Sequence, residues 1–542
     1  MIMIRKYIYS VVASVCLMGT ATSCSDFLSE YSQDMVVAKE VSHFDELLLG
    51  SVYVPSVYMQ DGVSPSTVCG FLNILDDDVN TGKGAGAFGN RIDMGWTSTM
   101  NPTFGYFAWQ LQVGRNYTGT NTVRDDGTWN DLYYRIFTIN VVLNEITDLP
   151  HSTKEDEATY WRVQGEAHFL RGYFFYILAN LYSNMYTEET ADKTLSVPLK
   201  LTPYIEHDKS KKTQFTRASV KDVYEQIVKD LKAASEYLTR SPQVDSHRLY
   251  RVSAEAADLM LSRVYLYMQN WKEAEAYADK VIASKNVSLA RLSSISPDNP
   301  FLSENNGEII FSQGPNYLMA PNRLSGAPGT YCVSHDLYDL YDQENDRRVA
   351  AFFEPHYSTD SIGLSNKYGH STERPRVSDV FTLRVSEAYL NKAEACAMQG
   401  GKDAEACTVL NKLRKERITD YKDRTYTGSE LVNQIRLERR KELCFEGQRW
   451  FDLRRYAVNK QYPYKRQILH VLNVCGDDVD YLLTRYYVLK EDDPAYTFSI
   501  PKTTINFDNV PMPDNPREER KPLEVKDNEN GTDEEGTAPV EE

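Results

Sequence analysis

Through most of the chain, apolar residues recur at every third or fourth position, a spacing that lines them up on one face of a helix. Between Trp129 and Tyr182 the positions Val163, Ala167, Leu170, Phe174, Ile177 and Leu181 keep this rhythm. A second run opens at Ser219 with Asp222 three residues on, the pattern of a capping box in which side-chain oxygens answer the free N–H groups of a first turn. Val220, Val223, Tyr224, Ile227, Leu231, Ala234 and Leu238 then share a face, and the helix must end before Pro242. Two further stripes follow, Ala254, Ala257, Leu261, Val264 and Met268, then Trp271, Ala274, Ala278 and Val281, joined by a turn at Gln269-Asn270. Ala274 and Ala278 where paired helices touch, with the bulky Tyr265 in the first helix, give the pattern of a tetratricopeptide hairpin. Lys272-Glu-Ala-Glu-Ala276 returns as Lys402-Asp-Ala-Glu-Ala406 behind Gly400-Gly401, which predicts another hairpin. The two stand far apart, so the reading is mainly α, with tetratricopeptide-like hairpins, long loops and a few short strands, for example around Ile309 to Phe311, in place of a regular solenoid.

Two segments lack this rhythm. From Asp76 to Tyr117 glycines (Gly82, Gly84, Gly86, Gly89) alternate with Phe88, Trp96, Phe104, Tyr106, Phe107 and Trp109, a composition that regular helix does not tolerate. From Glu518 to Glu542 ten acidic and three basic residues with almost no bulky apolar side chain predict a solvated, disordered tail.

The first residues set the compartment. Arg5 and Lys6 precede an apolar run from Tyr7 to Met18, and small residues lead into Cys24, the layout of a secretory signal. The run is about a dozen residues, short of the ~20 that cross a bilayer as a helix, and no later stretch is longer. A cysteine directly after Ala21-Thr22-Ser23 resembles a bacterial lipobox, although Ala21 stands where leucine is usual. Cys24 is therefore the expected lipidation site, and several acyl chains there would hold the protein firmly to a membrane. The formal charge is −17, and losing Arg5 and Lys6 makes it −19, which repels nucleic acid and anionic lipid alike. The remaining cysteines, Cys69, Cys332, Cys396, Cys407, Cys444 and Cys475, show no metal-ligand spacing and read as mostly buried thiols with at most one bridge.

Candidate chemistry is sparse. The metalloprotease, nucleophile-elbow, Walker and dinucleotide signatures are absent, and no cofactor is expected. Asp76-Asp77-Asp78-Val79-Asn80 opens like a calcium loop, but glycine comes one place late at Gly82 and Ala87 stands where the closing Glu belongs, so an EF-hand is excluded and a solvated acidic turn or a looser calcium site is left. The densest charged stretch runs from Glu438 through Glu442 and Glu446 to Arg449, Asp452, Arg454 and Arg455. Three carboxylates four apart on one helix face suit ion pairing with neighbouring arginines better than glycoside cleavage, whose two carboxylates flank a sugar about 5 to 9.5 Å apart. The rival readings are a surface hydrolase using Glu442 or Glu446 and an assembly scaffold whose helical hairpins bind only protein.

Aromatics are the better lead. Tyrosine alone supplies 37 residues, and its ring and hydroxyl suit the faces and edges of sugars. Tyr173, Phe174, Phe175 and Tyr176 sit in a helical pattern and read as core. Trp96, Tyr106 and Trp109 stand in the glycine-rich segment with Arg91, Asp93 and Asn101, where ligand binding and folded-back packing are both expected; Tyr317 and Tyr331 are weaker candidates.

Taken in order, these phrases resemble the SusD/RagB outer-membrane lipoproteins of Bacteroidetes. The likeness runs from Cys24-Ser-Asp-Phe-Leu28 through Trp129-Asn130, Leu132-Tyr133 and Asn140, and through Gly165-Glu-Ala-His-Phe-Leu-Arg171. It continues with Arg217 to Leu238, the hairpin from Ser253, Glu308-Ile-Ile-Phe311, Leu383-Arg-Val-Ser-Glu387 and Ala393-Glu-Ala395, and closes on Glu438-Arg-Arg-Lys-Glu-Leu443, Glu446-Gly447, Arg449-Trp450 and Asp452-Leu453. The resemblance implies a signal peptide over 1–23, an N-terminal helical region over 24–238 carrying the loop 76–117, a SusD/RagB region over 239–517 and the tail 518–542. It further implies a lipid-anchored protein on the outer face of the outer membrane. Such a protein captures an oligosaccharide, or for some members a peptide, without cleaving it, and passes it to a SusC-type TonB-dependent transporter. The family's motif residues are mostly scaffold, so they carry over no ligand site. Tyr182-Ser-Asn-Met-Tyr186 also lacks the Tyr-Gly-x-x-Pro turn usual at that point.

Overall fold

The computed structural model describes residues 38–55, 68–81, 103–114, 127–204, 215–241, 249–292, 300–318, 331–356, 361–368, 377–475, 482–508 and 510–526. The main helices are α1 (Val41–Leu47), α2 (Gly127–Glu145), α3 (Lys154–Tyr182), α4 (Val220–Arg240), α5 (Ala254–Tyr267), α6 (Trp271–Ala283), α7 (Val385–Ala397), α8 (Asp403–Arg417), α9 (Gly428–Glu442) and α10 (Arg449–Ala457). The helical run expected across 129–182 is two helices, because a 3₁₀ turn at Ile146–Asp148 leads into Pro150, which has no N–H for a helix interior.

Capping residues fix the helix starts. Ser219 accepts from the Asp222 N–H at 3.0 Å and donates to its carboxylate at 2.7 Å, as the sequence predicts, and Thr153 does the same for α3 through Asp156. Helices α3 and α4 pack so closely that a Cβ on Gly165 would lie 2.6 Å from Leu238 Cγ. Helices α5 and α6 form the predicted hairpin, turning at Gln269 with φ +58°, and α7 and α8 form the second, turning at Gly401 with φ +85°. The hairpins stack: Ser262 donates to the Ala274 carbonyl at 2.8 Å within the first, while Gln399 and Lys402 of the second reach Glu275 of the first at 2.6 Å. One large apolar cluster runs from Val41 to Met512, with a smaller one among α7, α8 and α9 around Cys396, Cys407, Leu431 and Ile435. Cys69, Cys332, Cys396, Cys407 and Cys444 are all buried.

The strands are short and local. β1 (Val79–Thr81) pairs with β3 (Tyr331–Val333), β2 (Ile309–Ser312) with β6 (Thr382–Arg384), and β4 (Glu354–His356) with β5 (Ser361–Gly363), all antiparallel. A three-stranded sheet is built in the order β7 (Ile468–Cys475), β8 (Leu482–Leu489) and β9 (Leu523–Lys526). β9 corrects the tail reading: Leu523 and Val525 alternate with charged residues, and that period of two suffices for an edge strand despite the acidic composition. Among the described residues no helix is long and apolar enough to cross a membrane.

Candidate functional site

The β1–β3 ladder joins the two segments that carry the candidate aromatics. Thr81, where β1 ends, is paired with Tyr331, where β3 begins, so the exit of the glycine-rich segment adjoins the return of the chain that leaves at Tyr317. The ladder rests on β7: Asn80 Oδ1 accepts from the Val471 N–H at 2.9 Å, and the Thr81 hydroxyl donates to the Val471 carbonyl at 2.7 Å. When the chain returns, Phe104–Phe107 forms one helical turn that packs its rings inward. Thr103 and Tyr331 share a hydroxyl–hydroxyl hydrogen bond of 2.8 Å, and Phe107 lies 5.3 Å from the Tyr331 ring.

Beneath this turn lies a sandwich that no sequence pattern announces. The His470 ring stacks on Phe107 at 4.3 Å and on Trp109 at 4.2 Å, and its two nitrogens lie 2.7 Å from the carbonyl oxygens of Phe107 and Asp76. Burial pushes the His470 pKa down to about 4, while the two carbonyls pull the other way. Trp109 donates its indole N–H to the Leu75 carbonyl at 2.9 Å and adopts a φ of +46°, a strained conformation for so bulky a residue, held because both its donor and its ring are engaged. Tyr106 stacks on Phe71 at 4.0 Å. Tyr317 is seated from behind: the Asp379 carboxylate accepts the N–H groups of Tyr317 at 2.9 Å and Leu318 at 3.0 Å, and a Cβ on Gly70 would meet the Tyr317 ring at 2.6 Å. Burial raises the Asp379 pKa to about 6.

These positions correct the expectation that four tyrosine and tryptophan rings offer stacking surfaces. Tyr106, Trp109, Tyr317 and Tyr331 are only 7, 1, 3 and 0 % exposed, so they form the packed base of the region, with their ring faces against protein. Folded-back packing, the alternative weighed for the segment, describes Tyr106 and Trp109. Arg91, Trp96, Asn101 and Cys24, the expected lipidation site, lie outside the described residues.

The charged constellation is fully buried. Arg384 pairs with Glu308, Glu442 and Glu446 at 3.1, 2.6 and 2.8 Å; Arg417 joins Glu308 and Glu442; Arg348 joins Asp346, Glu438 and Glu442. Lys367 adds a 2.7 Å contact to Glu446. Burial alone would raise these carboxyls, yet Arg417, Arg384 and Arg348 hold Glu442 well below the usual range, and Arg384 and Lys367 lower Glu446. A general acid needs the opposite shift, so the lowered pKa values do not suit either glutamate to that role.

Asp76, Asp77 and Asp78 bring carboxylate oxygens within 4.8 Å of one another, the geometry a cation would want. Guanidinium groups already stand there: Arg449 and Arg466 contact Asp77 at 2.7 and 2.8 Å, and Arg440 contacts Asp78 at 2.7 Å. The triplet is therefore no solvated turn: Asp77 and Asp78 form a buried junction that ties the start of β1 to α9 and α10.

With this geometry in view, comparison with known proteins is direct. A SusD-like family described as starch-binding and associating with the outer membrane matches residues 91–266, and the SusD family matches residues 357–509. The chain belongs to the SusD/RagB family. Its members are carbohydrate-binding proteins associated with the outer membrane. The SusD-like protein P38 of Formosa agariphila is 24 % identical over 389 residues, 60 % of this chain and 71 % of that protein. A putative sugar-binding protein from Bacteroides vulgatus superposes with a TM-score of 0.64 at 22 % identity, over 89 % of this chain and 99 % of its own. A laminarin-binding SusD-like protein superposes with a TM-score of 0.58 at 19 % identity, over 88 % and 100 %. Against this SusD/RagB fold, the residues that sequence reasoning missed are His470, Asp379, Asn80 and Thr103, isolated polar positions whose partners lie up to 394 residues away.

Proposed function

We propose that this protein is a non-catalytic, cell-surface glycan-binding protein, anchored in the outer leaflet of the outer membrane through lipidated Cys24, that delivers oligosaccharide to a SusC-type TonB-dependent transporter. The observation that supports it best is the β1–β3 ladder, which sets the start of the aromatic-rich segment beside Tyr331 on a packed base built from His470, Trp109 and Asp379. Rigid support is what a preorganised sugar site requires, because ligand contacts then cost little ordering entropy. Within this reading Trp96, Asn101 and Arg91 are the ligand-contacting candidates, and Tyr106, Trp109, Tyr317 and Tyr331 hold their support.

Titration calorimetry of the detergent-solubilised full chain against a glycan panel headed by a laminarin-type β-glucan tests the proposal. Saturable binding to one glycan class, lost in Trp96→Ala with an unchanged melting temperature, is the expected result; binding of a peptide library and of no glycan would overturn the sugar assignment. Product release from the bound glycan, abolished by Glu446→Gln in a variant that still folds, would instead favour a hydrolase. Copurification with the transporter from membranes, and a shift of Cys24→Ala to the soluble fraction, test the delivery and anchoring steps.

A further inference from the structure

A cavity of about 630 Å³ opens where α3 ends, far along the chain from the β1–β3 ladder. It is lined by Asn184, Thr187, Thr190, Thr194 and Thr497 among others, with Arg454 of α10 in its wall. Its volume lies within the range of small-molecule sites, about 300–1,000 Å³.

Arg454 differs from its neighbours on the same helix. Arg449 pairs with Asp77, and Arg455 with Glu394 and Asp452, whereas Arg454 faces no carboxylate among the described residues. It is 4 % exposed, and its guanidinium donates to the carbonyls of Asn180 and Ser183 and, at 3.0 Å, to the Thr497 hydroxyl. Those three bonds leave two of the five guanidinium N–H groups without an acceptor among the described residues. The two carbonyls belong to the end of α3, whose dipole offers only about half a negative charge. Burial without a counter-ion pushes the Arg454 pKa down to about 10, the opposite of Arg455, which its carboxylates raise.

The rest of the lining narrows the missing partner. Thr187 and Thr190, whose hydroxyls share one hydrogen bond, Thr194, which donates to the Thr190 carbonyl, and Asn184, whose side-chain carbonyl accepts from Thr497, keep further hydrogen-bonding positions for a ligand, and Tyr496, stacked on Trp450 at 4.9 Å, adds an aromatic wall. At the rim Asp492 is taken by Lys465 and Asp493 by Arg520, leaving Glu491 as a negative charge that disfavours polyanions. We propose that this cavity binds a sugar acid, a hydroxyl-bearing ring with a single carboxylate, and that Arg454 is the partner of that carboxylate. A sugar acid supplies the anion that the guanidinium lacks, and its hydroxyls match the threonines.

Calorimetry of the detergent-solubilised full chain with galacturonate, galactose and inorganic sulfate decides the matter. One saturable galacturonate site is expected, with galactose at least tenfold weaker, and with at least a tenfold loss in Arg454→Gln. Because Arg454 also closes α3, Thr190→Trp provides the second variant: it fills the cavity from an exposed turn, leaves the buried groups in place, and should abolish galacturonate binding with an unchanged circular dichroism spectrum. Equal binding of galactose and galacturonate, no galacturonate binding, tighter binding of sulfate than of galacturonate, or full binding in folded Thr190→Trp would each overturn the proposal. Binding of a neutral β-glucan should survive Thr190→Trp, so this inference and the glycan-binding proposal fail separately.

Discussion

The ion-pair web around Glu442 and the aromatic base around His470 are both buried, and both include residues that look functional in the sequence, Glu442 and Glu446 in one and Trp109 in the other, but they do different work. In the web every carboxylate meets two or more cations, so charge is neutralised locally and little is left to offer a ligand. In the base the polar groups of His470, Asp379 and Trp109 are spent on backbone atoms of other segments, so they fix where chain segments lie. The contrast teaches that a dense charged motif marks scaffold here, while isolated polar residues under an irregular segment mark the support of a candidate site.

Substitutions can break or sharpen this comparison. The largest effect is expected in the web: Arg384→Ala strands Glu308, Glu442 and Glu446 without one of their cations and should cost about 3–5 kcal/mol in urea unfolding, as loss of one partner from a buried ion pair does. A web that held only surface pairs would show under about 1 kcal/mol. The base should show itself through pH. His470 has its folded pKa depressed from 6.5 to about 4, so the stability it contributes is present above pH 6.5 and is lost as pH falls towards 4. By linkage the loss amounts to at most about 3 kcal/mol, because the Phe107 and Asp76 carbonyls both accept and so favour a ring with two N–H groups, and the difference between wild type and His470→Gln in urea midpoints from pH 7 to pH 4 measures it; identical slopes would mean that His470 is not held neutral in the fold.

A smaller effect is expected where Gly70 lets Tyr317 approach. Gly70→Ala should cost about 1–3 kcal/mol through overpacking against the ring, and it should weaken glycan binding more than any web variant of equal stability does. The smallest belongs to Tyr331→Phe, which deletes the hydrogen bond with Thr103 and should lower stability by about 1 kcal/mol. If its glycan affinity falls together with that of Gly70→Ala, while milder web variants such as Lys367→Met leave affinity unchanged, the division between scaffold and site support stands. Equal losses of affinity in both groups would erase it.

Much of the helical framework was legible from local signals. The Ser219–Asp222 box, the hairpin turn at Gln269 and the Gly400-Gly401 turn lie within a few residues of the groups they organise, and each appears where the spacing predicts. The break at Ile146–Asp148 was missed because the apolar rhythm resumes beyond it, and β9 because composition outweighed a four-residue alternation. The candidate site was half legible: the right segments stood out, but the wrong atoms of them. Aromatic rings in a glycine-rich stretch look the same whether they face water or the core, and only a partner such as His470, 361 positions beyond Trp109, decides the matter.

The sequence by itself determined the mainly helical architecture, the hairpins and the family, because these rest on periodicity and on phrases read in order. Tertiary structure alone decided that Glu442 and Glu446 are held ionised among arginines and Lys367, that Asp77 and Asp78 are met by guanidinium groups, that Tyr331 lies beside Thr81, and that Arg454 meets no carboxylate among the described residues. Each of these depends on distance between groups remote in the chain, and electrostatic and packing energies respond to distance in space, not to position along the sequence.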